Sequence, residues 1–444
     1  MTGYCLIAAL LFLFPIVQFP LTDGDVRNWG EVVTNVLATG SFAQASDQAH
    51  GPLLVLSTVF FAQFVPVSFV LFNLFNAFMA VMGLICMRVA AKEVMGSKAL
   101  AEIASFMYVT TLVVVYLSRT PMYDWPVAMC VFCFATAYMI YVKEKKLKWF
   151  ILALFFIAVG SLGRFSISIV ASMLFMGGIQ VLWLRQWRAW AFQITSVLAV
   201  IVLVNIPWML GQVGVEGTVF LKEFFIDNVL RYARSNRPND TYRFDFYALP
   251  ISVVLGLIPY APVLLLKIVS KSWWKKMLSE RETGWLLVGS IPILVLFSVS
   301  GHTKILRYVS YVFPFLILAM SYVLYQGLET KELKRLKQIF IGFFVVVVLV
   351  LIQQAIQFMT ESLESLLFVF SLASSLLALL ALGYWLIFYK LEHFQKRPSV
   401  FLAPFVVIYL LLISVVTYEA THAYFIHKVQ KDMAGFMKRI PLDN

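Results

Sequence analysis

Residues 118–149 read SRTPMYDWPVAMCVFCFATAYMIYVKEKKLKW. An isolated arginine and an isolated aspartate, Arg119 and Asp124, stand at one end of this stretch, and Lys143, Lys145, Lys146 and Lys148 crowd the other. From Trp125 to Val142 there is no charged residue. A helix needs about 20 mostly apolar residues to cross the hydrocarbon layer of a bilayer. Lysine-rich ends of such helices stay on the cytoplasmic side. The stretch therefore reads as a membrane span whose two ends carry different chemistry.

The rest of the chain repeats this pattern. Its 444 residues are 61% hydrophobic and only 13% charged, with a mean hydropathy of +0.86. A soluble chain carries about 25% charged residues. The strict apolar/polar alternation of an outer-membrane barrel is absent. The fold class expected is all-α and polytopic, with about thirteen spans. They run over 4–20, 66–90, 99–117, 124–142, 147–162, 165–183, 190–209, 246–267, 284–300, 304–325, 338–357, 366–389 and 399–418. The first lacks a basic leader and a small-residue cleavage site, so it reads as a retained helix. Residues 53–64, bounded by Pro52 and Pro66, are apolar but short and suit an interfacial or half-inserted helix.

Most of the 35 Lys and Arg fall in every second gap: 88–98, 143–148, 185–188, 267–281, 331–337 and 390–397. That alternation sets the N-terminus in the cytoplasm and the C-terminus outside. It also accounts for the net charge of +12 without nucleic acid. Two longer segments, 21–65 and 210–245, then lie on the outer face. Each contains an amphipathic stretch, Val26–Leu37 and Val219–Tyr232, suited to lying along the interface. No internal repeat or soluble domain is apparent, and residues 426–444 form a short outer tail. Cys130 and Cys133 make a CxxC within a span without polar company, which reads as two small buried residues and not as a redox or metal motif.

The outer gaps hold a sparse, mixed set of charges. Asp23 and Asp25 follow the first span, and Arg119 and Asp124 flank the third-to-fourth turn. A capping role and a role as general base or ligand are both open for these acids. Arg164 is nearly alone in VGSLGRFSIS, among Gly160, Ser161 and Gly163, where small residues would let an anion approach the backbone. The ninth-to-tenth turn, SVSGHTKILRYVSYVFP, adds His302, Lys304, Arg307 and Tyr308. Arg231, Arg234, Arg237 and Arg243 alternate with Tyr232, Tyr242 and Phe244, a pattern for lipid phosphate, a phosphorylated glycan or plain headgroup contact. Ionisable residues gathered in short turns at one membrane face suggest a site for an anionic, lipid-linked substrate.

Five elements in order resemble the GT-C membrane glycosyltransferases, most closely the bacterial lipid A aminoarabinose transferases and the related protein O-mannosyltransferases. They are Asp25, Arg27, Trp29 and Glu31 followed by Thr39-Gly40; His50-Gly51-Pro52-Leu53; Ser118-Arg119 leading to Asp124; Gly163-Arg164-Phe165; and Phe297-Ser298-Val299-Ser300 with Lys304 and Tyr308. The resemblance covers residues 1–320. It implies a GT-C fold over 1–425 as a single transmembrane domain, with the two outer segments covering an active site at the periplasmic face of a bacterial inner membrane. It implies an inverting transfer from a polyprenyl-phosphate sugar donor to lipid A, lipopolysaccharide or another envelope acceptor, by a monomer among membrane lipids. Asp25 would be the principal catalytic carboxylate and Asp124 a supporting one. Arg164, Lys304, Arg119, His50, Arg307 and Tyr308 would contact donor phosphate; Arg231, Arg234, Arg237, Arg243 and Arg27 would hold an acceptor or another anion.

The chain departs from that family at three points. His50 replaces the lysine of its K-P-P-L element, and Ala49 replaces the acid that can precede it as a metal ligand, so a divalent metal is left open. No counterpart of the family's periplasmic C-terminal domain is expected, so the acceptor need not be lipid A. The alternative reading is a transporter or flippase of a lipid-linked sugar. Transporters place charges near the midplane of repeated units, whereas here they lie at span ends.

Overall fold

A computed structural model describes residues 24–40, 51–64, 69–118, 122–226, 248–257, 260, 261, 263, 267, 270–299 and 309–329. The spans expected at 4–20, 338–357, 366–389 and 399–418, and the tail 426–444, lie outside them. The described regular elements are helices: α1 (Gly24–Thr39), α2 (Leu53–Ala62), α3 (Phe69–Val89), α4 (Lys98–Thr110), α5 (Leu112–Ser118), α6 (Asp124–Glu144), α7 (Leu147–Ser161), α8 (Phe165–Ile179), α9 (Trp187–Glu216), α10 (Thr218–Phe225), α11 (Ala248–Gly256), α12 (Lys271–Ser279), α13 (Arg281–Val299) and α14 (Phe313–Glu329). Among the described residues, five helical stretches are long and apolar enough to cross a membrane: Asn73–Val94, Asp124–Glu144, Phe165–Leu184, Trp187–Gly214 and Arg281–Val299.

The helix quoted at the outset, α6, is the centre of the bundle. It packs on α3, α7 and α8 and touches α13 and α14. Being apolar all round, it has no polar stripe to turn outward, and a helix of that kind is buried on every side. Trp125, Phe132, Phe134 and Tyr138 are fully enclosed. Pro126 falls in the first turn, where a missing N–H costs nothing. The helix ends at Lys145, which takes a left-handed conformation (φ 58°) and donates its N–H to Tyr141 O at 2.7 Å.

An aromatic layer ties α6 to its neighbours. Phe132 stacks on Trp285 of α13 (6.2 Å) and meets Phe315 of α14 edge-on (5.2 Å), while Phe175 of α8 closes against Phe315 and Trp285, each at 6.2 Å. Gly289 lies flat under Phe315; a Cβ there would run into the ring. Close approach at small residues replaces the hydrophobic driving force that lipid removes. Cys130 and Cys133 are enclosed, and Cys130 sits against Gly160, in keeping with their reading as small packing residues. The chain order α6, α7, α8, α9 with adjacent packing gives an antiparallel run. Asp124 and Arg164 therefore share one end, and Lys143–Lys148 and Arg185 share the other.

The helices differ from the expected spans in several places. The span expected over 304–325 is α-helical among its described residues only from Phe313, after a turn at 310–312, and runs on to Glu329. The span expected over 99–117 is broken at Thr111, whose backbone is extended (ψ 126°) and whose hydroxyl donates to Met107 O at 2.5 Å. A run of β-branched residues, Thr110-Thr111 and Val113–Val115, weakens the helix there. The helix expected to stop at 209 continues through Pro207 to Glu216, so the outer segment expected from 210 begins with helical residues. Pro207 removes one backbone bond, a loss membrane helices tolerate where neighbours re-satisfy the freed groups. The span expected over 246–267 is helical over Ala248–Gly256, turns at Leu257 and Tyr260 on either side of Pro259, and among its later described residues is helical again at Ala261, Val263 and Lys267. The short helix expected near 53–64 is present as α2, with Phe60 and Phe64 exposed at its far end.

Candidate active site

Three turns far apart in sequence converge at the Asp124 end of the bundle. The first enters α6. Asp124 lies inside the first turn of the helix and not before it, with Tyr123 as the preceding residue. Its side chain is only 4% exposed. Asn76 of α3 donates its Nδ2–H to Met122 O at 3.2 Å and pins the turn from below.

The second turn joins α7 to α8. Arg164 precedes α8 in an extended conformation and its side chain is 11% exposed. Its Nε lies 3.4 Å from Asp124 Oδ1. The Nε–H is not aligned on an acceptor, so this contact at Nε is Coulombic. The carboxylate and the guanidinium thus bury each other's charge, the arrangement that burial of either demands. Both stand at helix N-termini, where the backbone contributes a positive end.

The third turn enters α14. Tyr311 donates its hydroxyl to Asp124 Oδ1 at 3.2 Å, and Ser310 Oγ donates to Asp124 O at 3.4 Å. Phe297, at the end of α13, stacks on Tyr311 with 6.1 Å between ring centres and 11° between planes. Asp124 is therefore clasped between α8 and the entry to α14.

A fourth segment braces Arg164. Gly51 N–H donates to Gly163 O (3.4 Å) and Leu53 N–H to Leu162 O (3.0 Å), so the start of α2 lies along the α7–α8 turn. A Cβ on Gly51 would fall on the Leu162 carbonyl. This is the physical demand for glycine within His50-Gly51-Pro52-Leu53.

The glycines near Arg164 have a packing role. A Cβ on Gly160 would meet Cys130 Cβ at 2.9 Å, and one on Gly163 would meet Val127 Cγ2 at 2.5 Å and Leu53 Cδ2 at 3.0 Å. Their smallness lets the turn press against α6 and α2. Ser161 is likewise engaged: it donates to Ala158 O (2.7 Å) and accepts from Asn205 Nδ2 of α9 (2.8 Å).

The structure thus joins Asp124 to Arg164 and adds Tyr311, Ser310 and Asn76, which the sequence reading did not single out, while Phe297, already marked in the late sequence element, stacks on Tyr311. Tyr311 stands three residues beyond Tyr308 in the turn already marked, and that proximity was the available signal. Asp25 and Arg27 lie in the first turn of α1, which packs on α2, with only their backbone described. Arg119, His50, Lys304, Arg307, Tyr308, Arg231, Arg234, Arg237 and Arg243 lie outside the described residues, as does Ala49. Among the described residues no three His, Cys, Asp or Glu side chains gather as a metal centre would require.

No protein-family model matches the chain, and no curated protein matches its sequence. Solved structures do match it. ArnT from Cupriavidus metallidurans bound to undecaprenyl phosphate superposes with a TM-score of 0.75, at 16% identity, over 98% of this chain and 78% of that one. ArnT from the same organism in the apo state gives a TM-score of 0.71, at 15% identity, over 95% and 76%. Identities this low speak to architecture alone. The GT-C fold of the aminoarabinose-transferase type, which the five sequence elements resemble, is the fold this chain adopts.

Proposed function

We propose that the chain is an inverting glycosyltransferase. It moves a sugar from a polyprenyl-phosphate donor of the undecaprenyl type to lipid A, lipopolysaccharide or another envelope acceptor, at the periplasmic face of a bacterial inner membrane. The observation that carries this reading is the buried Asp124–Arg164–Tyr311 assembly at one end of a membrane bundle. The donor class is supported by the shared fold with a protein solved bound to undecaprenyl phosphate.

In the reaction an acceptor hydroxyl attacks the anomeric carbon, the bond from that carbon to phosphate oxygen breaks, and the polyprenyl phosphate leaves with an added negative charge. A fixed cation near that oxygen stabilises the transition state more than the ground state. Arg164 is that cation in this reading. Asp124, itself bonded by Tyr311, holds it in place, so little reorganisation is needed as charge develops. Arg119, Lys304, Arg307, Tyr308 and His50 join it on the phosphate. Asp25 takes the acceptor's proton as general base; against an already ionised phosphate acceptor it would orient instead. Arg27 and the arginines at 231, 234, 237 and 243 hold the acceptor or its anionic groups. The whole site belongs to one transmembrane domain, 1–425, acting as a monomer.

The test is transfer of labelled sugar from a polyprenyl-phosphate donor in membranes carrying Asp25→Asn, Asp124→Asn or Arg164→Gln. Each is expected to lose about 10²–10³-fold, the effect of removing one transition-state contact. Parental transfer rates in both aspartate variants would refute the proposal.

A further inference from the structure

At the end of the bundle opposite Asp124, tryptophans and basic side chains collect at one corner. Helix α12, KSWWKKMLS, is capped by Ser270, whose Oγ accepts the Trp273 N–H at 3.4 Å. Trp273 and Met277, four residues apart, are its buried side. Lys271, Lys275 and Lys276 are exposed, and among the described residues none of them is ion-paired with a carboxylate. The corner between α8 and α9 lies beside it. The Trp183 indole donates to Leu278 O at 3.2 Å, and its ring packs where Gly284 leaves room. Two residues on, Arg185 turns the chain in a left-handed conformation (φ 53°), and Arg185 and Arg188 are both exposed. Arg281, Glu280 and Glu282 follow α12 and leave the corner net positive.

Apolar side chains lie alongside these cations. Leu278 is 42% exposed, Val181 53% and Trp187 54%. Trp187 meets Trp190 edge-on at 5.8 Å. Tryptophan settles at the headgroup level of a bilayer, with an apolar body and a wet edge. A soluble anion would satisfy the cations and leave the apolar edge in water. Hydrocarbon alone would cover the apolar edge and leave the cations unmatched. A phospholipid carrying net negative charge meets both demands, and basic residues near such a surface each contribute to its capture.

We propose that this corner binds the headgroup of an anionic phospholipid, with the α12 lysines, Arg185 and Arg188 on its phosphates and its acyl chains along Val181, Trp187 and Leu278. The site is distinct from the Asp124 end and does not depend on the reaction proposed there.

The experiment titrates phosphatidylglycerol, and separately phosphatidylcholine, into the detergent-solubilised full-length protein and counts bound lipid by native mass spectrometry. The parent is expected to bind phosphatidylglycerol in preference to phosphatidylcholine. The triple variant Lys271→Gln/Lys275→Gln/Lys276→Gln is expected to weaken that binding roughly tenfold or more, and the corresponding triple arginine variant to keep it. Arg185→Gln/Arg188→Gln gives the same loss and serves if the lysine variant fails to fold. Equal binding of the two lipids by the parent overturns the proposal, as does unchanged phosphatidylglycerol binding in a folded glutamine variant.

Discussion

Replacing Arg164 by methionine removes the guanidinium facing Asp124 while keeping much of its stem volume. The two charges lie 3.4 Å apart, with side chains 11% and 4% exposed. At an effective dielectric of about 20, a separation of that size corresponds to about 5 kcal/mol of gross attraction. Both groups give up hydration to be there, so the net value of the pair is smaller. Truncating one partner of a buried pair typically costs about 3–5 kcal/mol, because the other is left stranded. Here Asp124 keeps its hydrogen bond from Tyr311 and its place at a helix N-terminus. The expected cost of Arg164→Met is therefore near the low end, about 3 kcal/mol. Asp124→Asn strands the arginine at a similar cost, and the double variant strands neither. The cycle should return a coupling of about 2–3 kcal/mol. It is measured by equilibrium unfolding of the purified protein in mixed detergent and dodecyl sulfate micelles. If the two single effects add to within about 0.5 kcal/mol, the side chains do not act as a pair and the account of the site fails.

Three further outcomes follow from the same geometry. Tyr311→Phe keeps the stack on Phe297 but removes the donor to Asp124; at 3.2 Å this bond is long, so stability should fall by about 1.5 kcal/mol, at the low end for a charged acceptor. Sugar transfer should fall by about tenfold, the kinetic equivalent of that energy, and unaltered transfer would remove Tyr311 from the site. Gly51→Ala forces its Cβ onto the Leu162 carbonyl and should cost about 1–3 kcal/mol in unfolding experiments. Cys130 and Cys133, at 0% and 1% exposure, should resist maleimide in intact micelles and react once dodecyl sulfate unfolds the protein, as peptide mapping would show.

Much of this arrangement was legible in the order of residues. The uncharged run from Trp125 to Val142 between an acid and a lysine cluster already says that α6 has two unlike ends. The lone Arg164 in a turn of small residues already marks an anion or a carboxylate as its partner, since hydrocarbon offers no other resting state for a guanidinium. The apolar run 53–64 between Pro52 and Pro66 already reads as a short helix. What remained hidden was partner choice. Asp124 before an apolar run looks like a helix cap, and only the approach of α8 and the α14 entry makes it the acceptor of Tyr311 and the counter-charge of Arg164. Gly160 and Gly163 look like room for a ligand, and only the positions of Val127, Cys130 and Leu53 show that they also make room for packed helices.

The sequence by itself determined the solvent of each segment: which stretches sit in lipid, which ends carry the basic charge, and which turns hold ionisable groups out of place. Those are one-dimensional properties, set by the free energy of moving each side chain between water and hydrocarbon. The tertiary structure decided which turns meet. Tyr311 and Asp124 are 187 residues apart, and nothing in local periodicity links them. An apolar helix such as α6 gives no sign of which face meets which neighbour. That choice is made by the shapes of Phe132, Trp285, Phe315 and the glycines beneath them, and it is this packing that brings Arg164 and Tyr311 to the same carboxylate.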